Sequence, residues 1–193
     1  MRGLPATIFV VPAFVGGNSF WWDDLLPDAE DRLDGFREWA LSALRGRDQE
    51  IKAWANTAGV RSLQLPLHAL TATEEELRRA AAQPGITLGS HTWSHPNLTQ
   101  LDADAVEEEL TSPLEWLRQR FESVVPWLAY PYGLASPTVE RAAAATGYRG
   151  AFGVTGSWLP KANASPFALP RLNIPAGVSP NGFVLRLSGY PGR

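Results

Sequence analysis

Between Ala6 and Val11 the chain reads Ala-Thr-Ile-Phe-Val-Val, β-branched and aromatic residues bracketed by Pro5 and Pro12. A run this short and this branched predicts a buried strand rather than a helix. From Phe20 to Val60 the pattern turns helical, with breaks near Pro27 and Gly46. Thr73 with Glu76 three residues on forms a capping box for a further helix, stopped by Pro84-Gly85. Ile86 to His91 is again a short apolar run and reads as a strand. Asp102 caps the next helix, whose stripe of Val106, Leu110, Leu114, Leu117 and Phe121 keeps helical spacing past a kink or split at Pro113.

A strand then runs from Trp127 into the turn Tyr130-Pro131-Tyr132-Gly133. Ser136 as cap, Pro137 at the first position and Gly147 at the end mark one more helix. Arg149 to Gly156 is a further strand, and from Ser157 onward prolines dominate, predicting loops and short strands. Alternating strands and helices imply a parallel sheet or barrel, expected as a single domain over residues 1–193 with an irregular part at 175–193. A barrel puts its chemistry at the C-terminal ends of its strands, and both His91 and Tyr132 fall there.

Composition narrows the chemistry. The 193 residues are 45% hydrophobic and 19% charged with a net charge of -3, the profile of a globular protein. No basic excess asks for nucleic acid or an anionic membrane, and the balance suits an uncharged substrate. With no cysteine, disulfides, thiolate metal sites and cysteine nucleophiles are excluded. Any metal is therefore held by histidine and carboxylates, which points to zinc or a similar divalent ion. No stretch approaches the ~18 apolar residues of a membrane span. The N-terminal apolar run reads as a strand and not as a secretion signal, which points to the cytoplasm.

Two of the three histidines, His91 and His95, sit in Gly-Ser-His-Thr-Trp-Ser-His-Pro. Pro96 and the preceding strand speak against a helix here, so the pair belongs to a turn leaving a strand. Such a turn either aims two imidazoles at one ion or carries two polar side chains bonded to backbone. His68 reads as structural or exposed. The Tyr130–Gly133 turn either offers a backbone N–H to an oxyanion or is a tyrosine-packed strand end. Trp21, Trp22, Trp93 and Trp158 lie in loops or at strand ends, where aromatic faces stack on sugar rings, whereas Trp39, Trp54, Trp116 and Trp127 read as core. Asp23-Asp24 reads first as a helix start and second as a carboxylate pair.

In this order, Gly3–Val10, Gly89–Leu98, Ala129–Gly133 and Phe167–Pro175 resemble the polysaccharide deacetylase family, the NodB-homology domain of the carbohydrate esterases. Ser-His-Thr-Trp-Ser-His-Pro matches that family's His-[Ser/Thr]-x-x-His-Pro motif at every fixed position. The resemblance implies a distorted (β/α) barrel with one divalent metal, commonly zinc, acting on the acetamide of N-acetylated sugars in a polysaccharide or oligosaccharide. It implies His91 and His95 as metal ligands, and Tyr132 as the catalytic oxyanion turn. Trp93, Tyr130, Pro131, Trp158 and Arg171 become candidate substrate contacts.

Three departures accompany the match. The family's Thr-Phe-Asp-Asp-Gly segment, which supplies the third ligand and the base, has no counterpart before Gly3, so the chain is expected to be N-terminally truncated, with the barrel lacking its first strand. Ala129 stands where many members carry a supporting Arg, and no histidine follows His95. Three outcomes are therefore expected in competition: a truncated or impaired N-deacetylase, a catalytically inactive carbohydrate-binding pseudoenzyme, and a hydrolase in which Asp23 or Asp24 replaces the missing ligand.

Overall fold

The computed structural model describes residues 4–26, 33–154, 165–174 and 177–188. Its centre is a parallel sheet of β1 (Ala6–Val10), β4 (Ile86–Ser90), β5 (Val124–Ala129) and β6 (Gly150–Phe152), in the order β1-β4-β5-β6. A small antiparallel pair, β2 (Leu25–Leu26) with β3 (Arg61–Ser62), lies outside it. The helices are α1 (Trp21–Asp24), α2 (Leu33–Ser42), α3 (Asp48–Thr57), α4 (Glu74–Ala81), α5 (Ala103–Arg120), α6 (Pro137–Ala145) and α7 (Pro180–Leu187). The mixed α/β class with a parallel sheet is the one expected from the alternation of strands and helices.

Local signals explain the boundaries. The capping box at Thr73 and Glu76 is formed in full. Asp102 accepts from the Ala105 N–H at 2.9 Å and Ser136 from the Val139 N–H at 3.3 Å, each satisfying an orphan donor of its helix. The stripe on α5 is buried throughout and divides its packing. Leu110 and Leu114 join Leu128, Tyr130, Val139 and Ala151 between α5, α6 and the sheet, while Leu117 and Phe121 join Val10, Leu77 and Leu88 toward β1 and α4. A third cluster of Trp21, Leu25, Ala40, Ile51 and Ala55 holds α1, α2 and α3 together. Across the sheet, Gly89 leaves space that the Phe9 ring fills, since a Cβ there would come within 2.8 Å of it. Phe9 in turn meets Phe152 edge-on at 5.8 Å.

Four expectations change. β1 is an edge strand and not a buried one: among the described residues it pairs with β4 alone, and Ala6, Thr7 and Ile8 are exposed. Pro113 does not split α5, which runs unbroken for 18 residues. The C-terminal part is not all loop and strand, because α7 forms from Ser179, whose hydroxyl accepts from the Gly182 N–H at 3.1 Å, with Pro180 at the first position. Trp21 is not a free sugar platform, being 4% exposed in the third core cluster. Among the described residues no helix is long and apolar enough to cross a membrane.

Candidate metal centre

The loop after β4 is held by specific hydrogen bonds on all sides. The His91 N–H continues the parallel ladder onto Val10 O at 2.9 Å. Thr92 and His95 both take left-handed backbone, with φ of 65° and 61°. For non-glycine residues this costs on the order of 1–2 kcal/mol each and persists only where surroundings enforce it. The enforcement is visible: the His95 N–H donates to Thr92 Oγ1 at 3.0 Å, and Asn97 donates its N–H to Arg45 O at 2.7 Å and its Nδ2 to Leu41 O at 3.0 Å.

Helix α5 grips the middle of the loop, and Pro113 explains how. A proline has no N–H, so the carbonyl four residues earlier, Glu109 O, loses its helical partner. That carbonyl instead accepts from the Trp93 N–H at 3.1 Å. The Glu109 carboxylate accepts from the N–H groups of Trp93 and Ser94, both at 2.9 Å, and from the Ser94 hydroxyl.

These constraints bring His91 Nε2 and His95 Nε2 to 3.2 Å from each other, with the rings nearly perpendicular at 88°. His91 Nδ1–H donates to Ala129 O on β5 at 2.6 Å, which leaves the lone pair on Nε2. Burial lowers the His91 imidazole to about 4, helped by the charge of Arg171 and opposed by the Ala129 carbonyl. His95 is also held well below its ordinary value, by burial first and by His91 second. Both rings are therefore neutral near pH 7, the form that binds metals. His95 Nδ1 is buried with no partner among the described residues. Two Nε2 atoms this close must share either a proton or a cation, because two bare lone pairs repel.

The separation fits a shared cation. Two nitrogens at roughly 2.05 Å from a tetrahedral zinc lie about 3.3 Å apart. The donor set is incomplete, however: no cluster of three or more His, Cys, Asp or Glu suited to a metal exists among the described residues. Asp23 and Asp24 do not fill the gap. Both lie in the first turn of α1, and Asp24 Oδ2 accepts from Ser19 Oγ at 2.6 Å and faces Lys52 Nζ at 3.3 Å. Lys52 also meets Asp48 at 3.1 Å, and Asp48 accepts from the Trp21 N–H at 2.6 Å, so this polar knot anchors the chain leading into α1. The expectation of a substitute aspartate ligand is thus corrected.

Aromatic rings wall the pair. Phe20, Trp22 and Tyr132 lie 5.4, 4.9 and 4.7 Å from the His95 ring. Phe14, Phe20 and Trp22 form a continuous stack at 4.1 and 4.5 Å. Tyr132 has φ 56° in the turn after β5, and its hydroxyl donates to Gly46 O at 3.1 Å while accepting from Trp21 Nε1 at 3.1 Å. Burial pushes that hydroxyl up, so it stays protonated. The Tyr132 side chain therefore serves as wall and tether, and only its backbone is left for the oxyanion role. An opening of about 400 Å³ lined by Trp21, Trp22, Arg37, His95 and Tyr132 leads to His95.

The other candidate contacts divide. Tyr130 and Pro131 are fully buried, and the Tyr130 hydroxyl donates to Phe167 O at 3.0 Å, so neither reaches a substrate and both belong to the core. Trp93 is half-buried and faces a separate cavity of about 690 Å³ behind the loop, shared with Phe14, Asn18, Lys52 and Glu108. Arg171 is half-buried, in a segment tied to the sheet by Leu169 beside Phe152. Trp158 lies outside the described residues. His68 is exposed. Sequence reasoning did not single out Glu109, whose only signal is a proline four residues on, or Arg37, which has none.

Fold and site together define a layered βα protein with a neutral histidine pair in the loop at the C-terminal end of the parallel strand β4. The chain belongs to the polysaccharide deacetylase family, whose model matches residues 1–151. Among solved structures it is similar to the deacetylase PplD of Streptococcus pyogenes in complex with acetate, at 24% identity and TM-score 0.54, over 61% of this chain and 51% of that one. It is similar to a de-N-acetylase from Aggregatibacter actinomycetemcomitans, at 12% identity and TM-score 0.56, over 94% of this chain and 64% of that one. IcaB from Ammonifex degensii matches at 15% identity and TM-score 0.50, over 98% of this chain and 62% of that one. These likenesses carry the fold, and the chain spans about half the length of the first. No curated protein matches it.

Proposed function

We propose that the protein is a metal-dependent carbohydrate N-deacetylase, which hydrolyses the acetamide of N-acetylated sugar units in a polysaccharide. The observation that carries this reading is the 3.2 Å approach of the two Nε2 atoms within a deacetylase-family scaffold. His91 and His95 would hold one divalent cation, zinc by the chemistry of the donors. When bound, such a cation acidifies water and polarises a carbonyl oxygen. In the overall reaction water adds to the acetamide carbon, the C–N bond breaks, and acetate and a free amine leave.

The chain's own residues prepare that event. Ala129 O fixes the His91 tautomer, and Glu109 and Asn97 fix the loop that carries both rings. Phe20, Trp22 and Tyr132 exclude water from the His95 side, and Trp22 offers a face to a pyranose. The Tyr132–Gly133 turn is the assigned source of the oxyanion donor. Among the described residues no third histidine or carboxylate joins the pair.

A second reading, a sugar-binding protein without turnover, is favoured by a donor set of two among the described residues. Calorimetric zinc titration, with acetate release from an N-acetylglucosamine hexamer, separates the two. The chain and a form extended at its N-terminus are compared. The deacetylase reading expects zinc binding that His91→Ala and His95→Ala each abolish, with acetate released by the extended form at least. Zinc binding indifferent to both substitutions overturns the site. Oligomer binding without acetate release from either form establishes the second reading.

A further inference from the structure

The opening that leads to His95 is aromatic on nearly every side: Trp21, Trp22 and Tyr132 line it, and His95 itself is neutral. Arg37, on α2, is the charged exception among the described lining residues. Its guanidinium stands 6.0 Å from the centre of the Tyr132 ring, at the outer limit of a cation–π contact. Arg37 is exposed, and no ion pair to it exists among the described residues. Other cations among the described residues lack a carboxylate partner too, and what sets Arg37 apart is its place in the lining of this opening.

We infer that Arg37 makes this opening a receptor for a carboxylate on the sugar chain, so that the preferred substrate is an acidic N-acetylated saccharide. The inference rests on the carbohydrate reading of the site and sharpens its substrate class. Trp22, 40% exposed, offers a face for the apolar side of a pyranose, and the guanidinium fork matches the two oxygens of a carboxylate. A single guanidinium in an opening of about 400 Å³ answers one negative charge, which favours a carboxylate over a phosphate carrying nearly two. The net charge of -3 belongs to the chain as a whole, so attraction for an acidic sugar has to be local, which is what a cation in the lining of the opening supplies. The uncharged substrate suggested by overall composition is refined accordingly.

The test is calorimetric titration of the protein with three saccharides: a neutral N-acetylglucosamine hexamer, an alternating N-acetylglucosamine–glucuronate hexamer, and an N-acetylmuramic acid oligomer. The last two distinguish a carboxylate on the neighbouring unit from one on the acetylated unit itself. One or both acidic saccharides should bind about tenfold more tightly than the neutral one at low salt, with the advantage shrinking as salt rises. Arg37→Gln should remove that advantage without changing neutral binding, and Arg37→Lys should keep part of it. Because Arg37 is exposed, neither variant threatens the fold. Equal affinities, or a preference that survives Arg37→Gln, overturn the inference. Acetate released equally from all three leaves the deacetylase reading standing and this one refuted, whereas no binding of any saccharide overturns both.

Discussion

Acid should weaken this protein through its histidine pair, and the size of the effect follows from the burial of His91. In the folded chain the His91 imidazole is lowered from 6.5 to about 4. The unfolded chain therefore takes up a proton at a pH where the folded one refuses it. Stability is full above 6.5, falls as the pH drops below that value, and levels off near 4. Between pH 7 and pH 5, His91 alone should cost about 2 kcal/mol. His95 acts in the same direction, since it too is lowered. Asp48 acts in the opposite direction, because burial raises its carboxyl and the folded state then holds a proton more tightly than the unfolded one. Urea midpoints at pH 7, 6 and 5 for the wild type and His91→Gln isolate the contribution. The wild type should lose about 2 kcal/mol more than the variant over that range. Zinc, which binds the neutral rings, should raise the wild-type midpoint at both pH 7 and pH 5, because the folded His91 ring stays neutral until about pH 4. Equal losses in wild type and variant would show that the rings are not buried and neutral as described, and the metal reading would lose its basis.

Two further predictions probe the supports of the site. Gly46 has φ +66°, and a Cβ there would stand 2.8 Å from Tyr132 Cε2 and 3.0 Å from Asn97 N. Gly46→Ala should therefore destabilise by roughly 1–3 kcal/mol in urea unfolding and displace the Tyr132 ring, weakening saccharide binding as well. Glu109→Ala removes the acceptor of the Trp93 and Ser94 N–H groups. It should cost about 1–3 kcal/mol and lower zinc affinity although Glu109 is not a ligand, and unchanged zinc affinity would separate the loop's anchorage from its chemistry.

Much of this architecture is written in local signals, because caps, stripes and strand runs depend on residues close in sequence. The capping box at Thr73 and the stripe along α5 form from such neighbours. Helix α7 carried the same Ser-Pro opening as α6, Ser179-Pro180 beside Ser136-Pro137, but the prolines before it masked the signal. What stayed illegible depends on partners distant along the chain. The exposure of β1 reflects an edge, which no run of apolar residues can announce. Tyr130 looked like a site residue because it adjoins Tyr132, yet strand alternation and the turn send the two to opposite fates, one into the core and one against His95. Arg37 acquires meaning only when α2 packs beside the Tyr132 turn.

The histidine loop also shows why local rules are broken where they are. Arg45, Thr92, His95 and Tyr132 adopt positive φ without being glycine. Thr92, His95 and Tyr132 lie in the two strand-end turns that form the site, and Arg45 offers its carbonyl to Asn97 in the same loop. A proline inside α5 is likewise unfavourable for the helix, yet it releases the Glu109 carbonyl that holds Trp93. Each irregularity costs stability on its own, and together they converge on one result, two imidazole nitrogens 3.2 Å apart. Apolar packing alone gives no reason to hold two neutral rings nitrogen to nitrogen in a buried site, since Leu or Phe would fill that space without leaving Nδ1 of His95 unpartnered among the described residues. A proton shared between the two Nε2 atoms would hold them as they stand, and the proposed cation would replace that proton at nearly the same separation, which ties the strain of the loop to the proposed chemistry.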